Sequence, residues 1–121
     1  DAMPAFMSSA AMVNVVDFIK SNHFHDFHNI SFIKIDAEGH DKEILPTLKE
    51  IIEINKPIIQ TEIYDGLTPN ETDQLINVIN NLGYKAYDMD ACNNNIDNLQ
   101  DEIKSHKDIK PNSGHNLICL P

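Results

Sequence analysis

The chain has 121 residues, 41% hydrophobic and 23% charged, a composition that suits one modest globular domain. Nine basic residues against 19 acidic ones leave a formal charge of −10, which argues against a nucleic-acid backbone or an anionic membrane surface as partner. Cys92 and Cys119 are the only cysteines, so neither a disulfide framework nor a cysteine zinc site is indicated, and no apolar run reaches the roughly 20 residues that span a bilayer. The opening "DAMPAFMSSAAMV" lacks the basic start of a secretory signal, so the cytoplasm is the expected compartment.

In chain order, "MVNVVDFIKSN" leads into a short helix around Asp17 to Asn22, and "HFHDFHN" follows as a polar and aromatic connector. His23, His25, Asp26 and His28 are metal-ligand types, but their spacing fits no strong zinc pattern, and no metal is expected there. "ISFIKID" reads as a strand, being short, apolar and rich in Ile and Phe. In "HDKEILPTLKEIIEINK" the apolar residues Ile44, Leu45, Leu48, Ile51 and Ile52 recur at helical spacing. Pro46 suits a first turn and not a helix interior, which predicts a short turn and then a helix from about Pro46. "PIIQTEIY" gives a second strand. Thr68, Pro69 and Glu71 form a helix start signal, Leu75, Ile76, Ile79 and Leu82 an apolar stripe, and Gly83 sits where a C-terminal cap belongs. "YKAYDMD" reads as a third strand and "HNLICL" as a fourth. Between them lies an asparagine-rich stretch from Cys92 to Ser113, with one helical turn expected near "NLQDEIK".

Strand, helix, strand, helix, strand is the pattern of right-handed crossovers in a mostly parallel sheet with helices on both faces. The last two strands have no clear helix between them, so an antiparallel pair is expected there. Ligands of such sheets sit beyond the carboxyl ends of the strands, and "FIKIDAEG" turns from apolar to acidic where the chain leaves the sheet. Residues two apart on a strand share a face, so Lys34 points with Asp36 and Gln60 with Glu62. One reading makes these a buried ion pair, Lys34 with Glu62 or Asp36. Another places Asp36 and Glu62 in a crevice as general base or orienting groups. A third lets the two carboxylates hold a divalent cation. Glu38, one residue out of phase, is expected to cap the next helix or to accept hydrogen bonds from the turn, and Gly39 to permit a tight turn. His40, His115, Tyr64 and Asp65 lie near strand ends as lesser candidates.

"FIKIDAEGHDKEIL", "KPIIQTEIY", "LGYKAYDMD" and "HNLICL" together resemble the second half of an FkbM-type methyltransferase. The most specific block is Lys34, Ile35, Asp36, Glu38 and Gly39, and "VVDFIKS" is similar to the segment before it through Asp17. The resemblance implies a partial class I, Rossmann-like α/β fold and methyl transfer from S-adenosylmethionine to a small molecule or sugar, most simply to an oxygen. It implies Asp36 and Glu62 as catalytic groups, with Asp36, Glu38 and Gly39 touching the cofactor. The family also carries a glycine-rich loop after its first strand and an acid after its second. Here Gly39, Gly66, Gly83 and Gly114 are isolated. The chain is therefore expected to be a single unit over residues 1–121, equivalent to strands four to seven, without the N-terminal cofactor-binding half. Such a portion is expected to self-associate and to be inactive alone. The alternatives are a non-catalytic α/β association module and a carboxylate-metal hydrolase.

Overall fold

The computed structural model describes residues 13–93, 95–110 and 116–121. Gly114 and His115, named above, lie outside the described residues.

The first helix, α1 (Val15–Asn22), starts at Asn14, whose side chain accepts a hydrogen bond from the Asp17 amide at 3.1 Å. The connector after it forms a 3₁₀ turn, Phe24–Asp26, and buries Phe27 in the core. Strand β1 (Phe32–Lys34) is followed by one helical turn, α2 (Asp41–Ile44), a 3₁₀ turn, Leu45–Leu48, and helix α3 (Lys49–Asn55). Helical structure thus begins five residues before Pro46, which takes the start of the 3₁₀ turn, where its missing N–H is tolerated. Strand β2 (Ile58–Glu62) leads to helix α4 (Pro69–Asn81). Its capping box is complete, with the Thr68 hydroxyl accepting from the Glu71 amide and the Glu71 carboxylate accepting from the Thr68 amide. Gly83, at φ +83, ends it as expected. Strands β3 (Lys85–Asp88) and β4 (Asn116–Leu120) complete the sheet. The turn expected near "NLQDEIK" is displaced: the 3₁₀ segments are Ile96–Asn98 and His106–Asp108, and Ile103 between them forms an antiparallel bridge with Ala86.

The sheet order is β1-β2-β4-β3. β1 and β2 are parallel, whereas β4 runs antiparallel to both β2 and β3. The antiparallel β3–β4 pair matches the sequence expectation. With one parallel and two antiparallel pairings the sheet is mixed, and the expected mostly parallel sheet is not what these four strands form.

Among the described residues, the helices that join these strands lie on one face of the sheet. The steps from β1 to β2 and from β2 to β3 run the same way across the sheet. Right-handed crossovers then place both connections on one face. The register agrees, because Ile59, Leu117, Cys119 and Ala86 share a face and join Leu45, Ile52, Leu75 and Ile76 in a single core. The opposite face carries Phe32, Ile58 and Ile118. Met89, Cys92 and Ile96 meet these residues across a groove of about 180 Å³, and Phe32 stays 50% exposed. Among the described residues no helix is long and apolar enough to cross a membrane.

Candidate functional site

The site is built where β1 and β2 end side by side. The Ile35 amide still donates to the Gln60 carbonyl at 2.9 Å, and the chain then reverses in a turn closed by the His40 amide on the Ala37 carbonyl at 3.1 Å. Both central residues have positive φ, +49 at Glu38 and +101 at Gly39, the pattern of a type I′ turn. A glycine belongs at position 39 for a second reason. A β-carbon there would lie 3.3 Å from the Tyr64 ring, and one at Gly66 would lie 3.0 Å from the same ring. Tyr64 therefore packs against two bare backbones, so Gly39 permits the tight turn expected of it and also seats an aromatic ring.

The turn is fastened by a residue that the sequence did not single out. Asp41, 1% exposed, accepts hydrogen bonds from the Ala37 amide at 3.1 Å, the Glu62 amide at 3.2 Å and the Thr61 hydroxyl. A buried carboxylate needs such partners, and these three tie the turn after β1 to the end of β2. An acid at the first position of a helix usually marks a solvated start, which concealed this one. The usable signal was Thr61, a hydroxyl among the apolar residues of β2 that needs a buried acceptor. Glu38 takes neither expected role: it is exposed and makes no side-chain hydrogen bond among the described residues. Its left-handed backbone turns it away from the helix end, and Asp41 holds the turn instead.

Asp36 and Glu62 do come together. The register pairs Lys34 with Gln60, so two residues further on Asp36 stands opposite Glu62. Partial burial of Glu62, then the Asp36 charge and a hydrogen bond with Asp36, raise the Glu62 pKa above its ordinary 4.5, with smaller contributions from Asp41 and Asp65. Lys34 does not neutralise Asp36 and Glu62. β1 is the edge of the sheet, its lysine is exposed, and among the described residues it forms no ion pair, so the buried-pair reading is withdrawn. Lys42 donates to the Gly39 carbonyl at 3.3 Å but sets its charge against Glu43 and Glu71 at 3.1 and 3.6 Å. The corner is electronegative and suits a cationic ligand.

His40 is exposed beside Glu43, 3.8 Å away. His23, His25, Asp26 and His28 lie on the surface, and among the described residues no group of three or more His, Cys, Asp or Glu side chains is placed to hold a metal ion.

Residues 12–86 match the model of the methyltransferase FkbM domain. No curated protein and no solved structure matches the chain significantly. The matched stretch is more than half of the 121 residues, and it contains the turn, Asp36, Asp41 and Glu62. The chain belongs to the FkbM methyltransferase domain family.

Proposed function

We propose that the protein transfers a methyl group from S-adenosylmethionine to a hydroxyl oxygen of a small molecule or sugar in the cytoplasm, on a class I sheet whose strands four to seven are β1, β2, β3 and β4. The observation that carries this reading is the adjacent pair of carboxylates, Asp36 and Glu62, at the carboxyl ends of two parallel strands, where ligands of such sheets sit. The donor fits the corner by charge, since a sulfonium cation meets uncompensated carboxylates there. When bound, S-adenosylmethionine supplies an electrophilic methyl group. Asp36 and Glu38 are the groups of this chain that reach it, and Gly39 keeps the turn close. Asp36 orients the acceptor hydroxyl or takes its proton, with Glu62 second in that role. The glycine-rich loop that grips such a donor has no counterpart among these residues, so this stretch by itself is expected to be inactive.

Calorimetric titration with S-adenosylhomocysteine tests the reading. The full-length protein is expected to bind at micromolar strength and to lose most of that affinity on Asp36→Ala, while the 121-residue chain alone binds far more weakly. Absence of binding to the full-length protein would overturn it. A second reading, a non-catalytic association module, draws on the open sheet face lined by Phe32, Ile58 and Ile118.

A further inference from the structure

Beside the carboxylate corner lies a second concavity of about 250 Å³, between the loop after β2 and the segment between β3 and β4. Ile63, Leu67 and Ile109 give it apolar walls, and Tyr64, 40% exposed, forms one side. One polar side chain in it is held with unusual care. His106 donates its backbone amide to Asp73 Oδ1 at 2.7 Å, and its Nδ1 meets Asp73 Oδ2 at 2.9 Å. Asp73 stands on α4, and these bonds lower its pKa, so it remains the ionised partner. A capping box between Ser105 and Asp108 fixes the turn that carries His106.

In the neutral imidazole, a carboxylate on Nδ1 selects the tautomer that carries its proton there, and in that tautomer Nε2 is an acceptor. Among the described residues no hydrogen bond engages Nε2, and His106 lines the concavity together with the charged residues Asp65 and Lys110. We propose that this concavity is a binding site for a small hydroxylated ring. The ring packs on Tyr64 and the apolar walls, and its hydroxyl donates a hydrogen bond to Nε2 of His106, which Asp73 positions. The inference rests on the methyl-transfer reading only for its biological sense, since it names where the methyl acceptor lies. His106 falls outside the family-matched residues 12–86.

The test is titration of the full-length protein with phenol, followed by NMR of the backbone amides and the histidine ring nitrogens. Expected are shifts confined to Tyr64, Leu67, His106 and Ile109, with the His106 Nε2 signal moving as a hydrogen bond forms. Toluene, which lacks the hydroxyl, should bind about tenfold more weakly, the worth of one hydrogen bond. His106→Ala should abolish that preference. Asp73→Asn keeps an acceptor for the His106 amide but no longer dictates the tautomer, and it should reduce the preference without lowering the melting temperature much; it carries the test if His106→Ala does not fold. Equal affinity for phenol and toluene, no shift in these residues, or a preference that survives both variants would overturn the proposal. Phenol binding needs no methyl donor, so failure here leaves the S-adenosylhomocysteine result standing, and the reverse holds.

Discussion

Asp36 and Glu62 stand side by side at the strand ends, and that arrangement has measurable consequences. Asp36→Asn in the full-length protein should abolish methyl transfer and leave the melting temperature unchanged, because the Asp36 side chain is exposed and carries no part of the core; near-normal turnover would remove Asp36 from the chemistry. Glu62 has a folded pKa raised above the 4.5 of the unfolded chain, so the folded state binds more protons in between. Its contribution to stability is full below pH 4.5 and is lost as pH rises through the raised folded value. Glu62→Gln should therefore flatten the decline of the melting temperature above pH 4.5 and raise it at neutral pH. Asp41→Ala strands three donors at once and should cost about 3 kcal/mol, read as a lower urea midpoint with unchanged slope. The pairing of Asp36 with Glu62 was legible, because a period of two fixes which residues share a face. The burial of Asp41 was not, since two of its three partners come from a strand about twenty residues away. The solvation of Lys34 escaped notice for a related reason: a strand's own pattern does not say whether it lies at the edge of its sheet.

Helices and strands were legible where punctuation is local. The start of α4 is written in Thr68, Pro69 and Glu71, and its end in Gly83. Thr68→Ala should cost about 1 kcal/mol, observed as a melting temperature lower by a few degrees. Where two local signals compete, the reading slipped. Pro46 suggested a helix start, yet Asp41 had already begun one turn, because its carboxylate reaches the Ala37 amide and holds the chain in place. "NLQDEIK" has helical composition, but Ile103 is drawn to the backbone of β3, a contact no local pattern announces. Tyr84 shows the same dependence on distant partners. Its hydroxyl donates to the Pro57 carbonyl at 2.6 Å, and burial pushes its pKa up to about 12.

At the scale of the molecule, the helices among the described residues collect on one face of the sheet, and the other face, next to an edge strand of three residues, is partly bare among those residues. Among the described residues the outer edge of β1 pairs with no strand, and this edge and the exposed Phe32 invite a neighbour. We propose that the chain by itself self-associates through "SFIKID" and the adjoining face. The charge of −10 opposes this, so association should strengthen with salt as the repulsion is screened. Light scattering at low micromolar concentration should show a dimer or larger species, and Phe32→Lys should shift it toward monomer. A well-folded monomer at every salt concentration would sink the idea.

The position of β4 between β2 and β3 also dictates an order of assembly. β3 meets the rest of the sheet through β4, so during synthesis it has no sheet to join until residues 116–120 have emerged. Until then β2 presents an open edge, and α4 covers a core that lacks Leu117 and Cys119. A nascent chain halted after Tyr87 is thus a substrate for chaperones and proteases, and the native sheet closes only in a late step that joins residues far apart in sequence.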